Sequence, residues 1–275
     1  MNRRNFLLSS TAALAASKVM SAEDNRLTDC HVYLGQSPFR ELEAEDAAGF
    51  AQLLQKRGVT EAWAGAFEGL LRRDVAEVNR ELAETSRKHS IFRPCGTVNL
   101  ALPDWQEDVR RCAEEHGMRA IRLHPNYHGH ALKDAPFGEL LALSVKHRLL
   151  VQLVAQMEDE RTQNPQVRVG PVDLKPLSVL MKEVPEARVM LLNCNAVMLM
   201  RHLQECANVW TDFAMIEGVG GVENLLKTWP EERLVFGSYA PAFYWEAAKL
   251  RMQESAIEET SAVNIRWQNA AGLMA

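Results

Sequence analysis

Eight times in succession, an apolar run that reads as a buried strand is followed by a stretch with apolar residues at helical spacing. That alternation constrains the fold more than any other feature of the chain. "LTDCHVYLG" leads to "EAEDAAGFAQLLQKRG", which Gly58 closes as a C′ residue. "VTEAWAGAF" leads to "DVAEVNRELAETSRKH", where Asp74 and Glu77 predict a capping box. "IFRPCGTVNL" leads to "PDWQEDVRRCAEEH", entered at Pro103 and stopped before Gly117. The rhythm continues through "MRAIRLH" and a helix near Pro136, "LLVQLVAQM" and "LKPLSVLMKEV", and "ARVMLLNC" and "AVMLMRHLQEC". It closes with "NVWTDFAM" and "VENLLKTW", then "RLVFGS" and "AFYWEAAKLRMQES", with "TSAVNIRWQNAAGLM" as an extra C-terminal helix. Eight strand–helix units in about 250 residues have the size and order of a single-domain α/β fold, the (β/α)8 or TIM barrel. The competing doubly wound sheet carries a Gly-rich turn after its first strand, and this chain has none.

Composition narrows the function classes. Of 275 residues 47% are hydrophobic and 24% charged, with a net charge of −5, as in ordinary globular proteins. The acidic balance and the lack of a basic run with interleaved aromatics argue against nucleic acid. Cys30, Cys95, Cys112, Cys194 and Cys206 form no C-x-x-C pair, so a zinc-thiolate cluster is not expected, and buried free thiols are.

The first residues are unlike the rest. "MNRRNFLLSSTAALAAS" joins Arg3 and Arg4 to a short apolar run, too short to span a bilayer as a mature helix. Its R-R-x-F-L pattern resembles a twin-arginine export signal; the alternative is an amphipathic N-terminal helix. The first reading makes residues 1–25 a signal and linker and residues 26–275 the barrel. It implies a periplasmic or extracellular protein, with no membrane attachment once the signal is removed.

Active sites on such barrels sit at the C-terminal strand ends. Strand one offers Asp29, His31 and Tyr33 on one face, and strand four offers Arg122 and His124, also two apart. Asn126, His128 and His130 follow strand four, and Gln152 and Gln156 belong to strand five. Strand six ends with Asn193 and Asn195, strand seven with Asp212, and strand eight with Ser238 and Tyr239. His128 and His130 read as solvated loop residues, and Cys194 lacks a neighbouring His to activate it.

"D-x-H" at strand one, "IRLHPNYHG", "FGS-x-AP" and "QNAAGL" together resemble the amidohydrolase superfamily, in its amidohydrolase-related branch of metal-dependent hydrolases and decarboxylases. The resemblance implies a divalent metal held by H-x-H on strand one, a His on each of strands five and six, and an Asp on strand eight. Carried over by position, His31 matches the first ligand and Tyr33 replaces the second. Val154 or a neighbour stands on strand five, Asn193 and Asn195 on strand six, and Tyr239 on strand eight. Amides and phenols are poor ligands for such a cation, and the missing Asp also removes the usual base for a metal-bound water. No tightly bound metal or other cofactor is therefore expected, the divalent ion being the family-level alternative.

The polar strand ends allow two readings. Asp29, Arg122 and His31 could form an ion-pair network that only orders the barrel. Alternatively they line a pocket for a small polar ligand, with His31, His124 and Asp29 as catalytic candidates. Arg122, Tyr33, Asn126, Gln156, Asn193 and Tyr239 are then the candidate substrate-binding residues. The functional expectation is hydrolase-like action on a small polar organic substrate. The alternatives are a non-catalytic ligand-binding relative and a metal-independent lyase or decarboxylase. A small molecule is the expected partner, and a homo-oligomer is compatible with the chain.

Overall fold

Seven parallel strands pair in sequence order: β1 (Thr28–Leu34), β2 (Glu61–Ala66), β3 (Phe92–Thr97), β4 (Ala120–Leu123), β5 (Leu150–Val154), β6 (Arg188–Leu192) and β7 (Val209–Thr211). The computed structural model describes residues 26–42, 46–158, 161 and 163–274. The export segment expected over residues 1–25 lies outside them.

The eighth barrel position is filled by residues 234–240, through isolated bridges instead of a regular strand. Leu234 bridges Thr211 of β7, and Ala240 bridges Val32 of β1. Four backbone bonds complete the closure: Val235 N–H to Thr211 O, Cys30 N–H to Phe236 O, Tyr239 N–H to His31 O and Tyr33 N–H to Ala240 O. The sequence expectation of a strand here is met in position but not in regularity. Side chains replace part of the ladder, because Asp29 accepts from both the backbone N–H and the hydroxyl of Ser238. Tyr239 then adopts φ 60°, which no extended strand tolerates.

Helices cover the sheet as the periodicity predicts. The first is α1 (Ala47–Lys56), capped by Asp46, which accepts from Gly49 N–H at 2.6 Å. Next is α2 (Val75–Lys88), capped by Asp74, whose carboxylate accepts from Glu77 N–H. The Glu77 carboxylate itself turns to Arg80. They are followed by α3 (Trp105–Arg110), which runs on as a π turn. A short α4 (Pro125–His128) occupies what the sequence suggests is a loop, Pro125 presetting its first turn. The rest are α5 (Ala135–His147), α6 (Leu177–Glu183), α7 (Ala196–His202), α8 (Gly221–Leu226), α9 (Trp245–Glu254) and α10 (Glu259–Val263), the last continuing to Ala271. Asn195 caps α7 by accepting from Met198 N–H, so it serves the helix and not the mouth.

Two apolar layers result. Val32, Ile121, Leu123, Leu153 and Leu191 face the helices and meet Phe50, Leu82, Phe137 and Leu199. Each such side chain contributes about 1.5–3 kcal/mol by leaving water. The barrel interior holds Cys30, Cys95, Ala120, Leu150 and Met190 with the aromatic rings Tyr33, Trp63, Phe67 and Tyr239. Strict alternation sends Cys30 outward with Val32. It faces inward because the β1 register shifts between Asp29 and Val32, an irregularity that breaks the period of two. All five cysteines are buried free thiols.

Candidate functional site

The C-terminal ends of β1, β4, β6, β7 and the 234–240 stretch converge on two short hydrogen bonds. His31 Nδ1 lies 2.7 Å from Asp212 Oδ2, and both side chains are fully buried. Asp212 Oδ1 accepts from the N–H groups of Asn193 and Ala214. Burial drives the Asp212 carboxyl up to about 7, against the pull of those bonds, and holds His31 well below the ordinary imidazole value. Burial therefore favours the uncharged pair, with the proton on Asp212 and His31 as a neutral acceptor at Nδ1. Gly237 makes this approach possible. A Cβ there would stand 2.7 Å from Asp212 Cβ and 3.1 Å from His31 Cβ.

The second bond joins Tyr33 Oη and His124 Nε2 at 2.8 Å. Burial raises the Tyr33 phenol to about 12 and lowers His124, with repulsion from His128 adding to the effect. Both groups are neutral. The phenol also reaches Met157 Sδ at 3.7 Å, so Oη–H has two acceptors to choose between. Tyr239 stacks on His31 with centroids 4.7 Å apart and sends its own hydroxyl to Met157. Phe67 stacks on the other ring, Tyr33.

Arg122 and Asp29 do not meet as the network reading supposes. The guanidinium donates to Val32 O, Trp63 O and Gln152 Oε1, and lies 4.5 Å over the Tyr33 ring. It is solvated by carbonyl dipoles and a π face and has no carboxylate partner among the described residues. Gly65 leaves room for it, since a Cβ there would meet Nη1 at 2.6 Å. Asp29 is committed to Ser238 and to the His31 N–H, and burial lifts it to about 7. It ties β1 to the closing stretch.

The other candidates sit at the rim or under it. Asn126 is exposed and donates to Gly170 O, and Gln156 donates to Glu158 O. With His124 they line a crevice of about 10 Å³, roughly one water's room. Asn193 is buried in the left-handed region at φ 56°, with both amide atoms unpartnered. His31 Nε2 and His124 Nδ1 are likewise buried without partners. Such orphans are rare in folded proteins. His128, read from sequence as solvated, is buried, with Nε2 against Gly69 O. Asp212 stands in the sequence as a lone acid after strand seven, and nothing local signals that its partner is His31.

A divalent metal does not fit this donor set. His31 Nε2 is one free imidazole nitrogen. Tyr33 Oη is engaged, the Tyr239 ring covers His31, Val154 is apolar and Asn193 offers only an amide. Among the described residues no three His, Cys, Asp or Glu converge to hold a metal. Tight binding needs about three or more such donors.

The family model described as amidohydrolase matches residues 29–243, spanning the strand ends just described. The chain belongs to the amidohydrolase family. Among solved structures, 2,6-dihydroxybenzoate decarboxylase from Rhizobium aligns at 13% identity and TM-score 0.71, over 90% of this chain and 98% of its own. The 5-carboxyvanillate decarboxylase of Novosphingobium aromaticivorans, complexed with manganese and 4-hydroxy-3-methoxy-5-nitrobenzoic acid, aligns at 13% and 0.70, over 90% and 95%. An uncharacterised TIM-barrel protein from Bordetella bronchiseptica aligns at 12% and 0.67, over 90% and 98%. These likenesses establish the fold of this member of the amidohydrolase family. No curated protein matches the chain. Among its described residues, no helix is long and apolar enough to cross a membrane.

Proposed function

We propose that this amidohydrolase-fold protein performs metal-independent proton transfer of the lyase type, on a small organic acid, in place of metal-assisted hydrolysis. The observation that carries the reading is the pair of buried, uncharged hydrogen bonds, Asp212–His31 and Tyr33–His124, at 2.7 and 2.8 Å. Hydrolysis needs an activated water. Tyr239 stands where the resemblance expects the activating Asp, and the Cys194 thiol is held well above its usual value by burial. Decarboxylation needs no water nucleophile. The carbon–carboxylate bond breaks, carbon dioxide leaves, and the electron pair left on carbon takes a proton. The Tyr33 Oη–H, hydrogen-bonded to His124 Nε2, is the donor placed to supply it, and solvent then returns a proton to the phenolate. A buried, dry site suits this loss of charge. The names of the solved decarboxylases add support at the level of reaction class.

Incubation of chelator-treated protein with hydroxylated aromatic carboxylic acids, 2,6-dihydroxybenzoate first among them, tests the reading. Carbon dioxide should be released, and His124→Ala and Tyr33→Phe should each abolish the release. Hydrolysis of amides or esters that depends on added metal would overturn it.

A second reading is a barrel without catalysis. It is favoured by the burial of His31, Tyr33, Arg122 and Tyr239, each at most 1% exposed. The crevice that His124 lines with Met157, Val169, Gly170 and Val172 has room for about one water and not for an organic acid. Absence of turnover over the whole panel selects this reading.

A further inference from the structure

The face opposite the His124 mouth carries a far larger opening. A cavity of about 520 Å³ lies where the chain enters β1, between the C-terminal end of α1, helix α9 and the last helix. That volume is within the usual range for small-molecule sites, about 300–1,000 Å³. Its floor is apolar, made by Phe236 and Trp245, each 2% exposed. Its rim is cationic. Glu259 is the one carboxylate on the lining, and it is engaged by Arg266 at 2.8 Å. Arg57, also on the rim, holds Glu246 at 2.7 Å. Arg26 and Lys249 are exposed and have no carboxylate partner among the described residues. Arg26 is held in place by its guanidinium, 5.0 Å over the Trp267 ring. The Trp245 indole N–H is buried without an acceptor.

An apolar floor, two uncompensated cations and an unsatisfied buried donor call for one kind of occupant. We propose that this cavity is a second binding site, for a small organic anion with an apolar body and an anionic oxygen head group. The body covers Phe236 and Trp245, the head group lies between Arg26 and Lys249, and an oxygen of the ligand accepts from the Trp245 N–H. The two cations sit on different elements, so the head group bridges the entry to β1 and α9.

Titration calorimetry on the whole chain tests this with three probes: 1-naphthoate, the neutral 1-naphthylmethanol and inorganic phosphate. Naphthoate should bind saturably, with the alcohol and phosphate each at least tenfold weaker. The double variant Arg26→Gln, Lys249→Gln should weaken naphthoate at least tenfold, both residues being exposed and uninvolved in the core. Trp245→Phe should weaken it several-fold and shift the protein's emission response. His124→Ala should leave the affinity unchanged, which separates this site from the mouth. Equal affinity for the alcohol or for phosphate, an unchanged double variant, or loss of binding in His124→Ala would each overturn the proposal.

Discussion

His31 and Asp212 share a hydrogen bond whose charge state can be read from stability. Asp212 titrates at 3.8 when unfolded and at about 7 in the fold. Between these values the folded chain keeps a proton that the unfolded chain has released, so this residue's contribution is whole below about pH 4 and lost as pH rises to 7. In Asp212→Asn that loss is absent. The parent should therefore lose stability relative to the variant across pH 4–7, by on the order of 4 kcal/mol. Urea titrations of both proteins at several pH values measure the difference, in which the contributions of titrating groups remote from residue 212 cancel. A parent that gains on the variant would mean a charged His31–Asp212 pair instead. Tyr33→Phe, by the same logic of burial, leaves His124 Nε2 unpartnered and should cost about 1–3 kcal/mol in a denaturant melt.

At the scale of elements, close approach matters more than propensity. The closing stretch can lie against β1 and β7 only because residue 237 has no Cβ. Gly237→Ala pushes Asp212 and His31 apart and should destabilise by about 1–3 kcal/mol. A crystal structure or NMR spectrum should show the His31–Asp212 contact lengthened. An alanine as stable as the parent would show that the stretch yields without strain. α1 offers a milder comparison, where Asp46→Ala removes one exposed cap and should cost about 1 kcal/mol. The pleat itself is less dependable than the helix caps. The irregularity in β1 turns Cys30 inward, and no local sequence signal announces it.

For the whole molecule, the donor set predicts that folding does not depend on metal. Thermal melts with and without a chelator should coincide, and elemental analysis of protein purified without added metal should find less than a tenth of an equivalent. Near-stoichiometric zinc, manganese or iron would contradict this. We propose that Arg3 and Arg4, at the head of the short apolar run, direct export of the folded chain. Replacing both with Lys should hold the precursor in the cytoplasm, as cell fractionation would show; unchanged export would assign the segment to another role.

The periodicities of 3.6 and 2 are local, and they carried the barrel. Strand and helix order, the caps at Asp46 and Asp74, and the loss of an imidazole at Tyr33 and of a carboxylate at Tyr239 are all legible along the chain, because each depends on neighbours within a few residues. The same locality brought His31, Arg122 and His124 to the barrel axis as candidates. Tertiary structure decided what each one touches. Asp212 finds His31 across 181 positions, Asp29 turns to Ser238 across 209 instead of to Arg122, and Arg122 settles on carbonyls. Such pairings follow from barrel closure and from missing Cβ atoms at Gly65 and Gly237. Which buried groups meet, and so which protons they keep, is a property of the closed barrel and not of any segment within it.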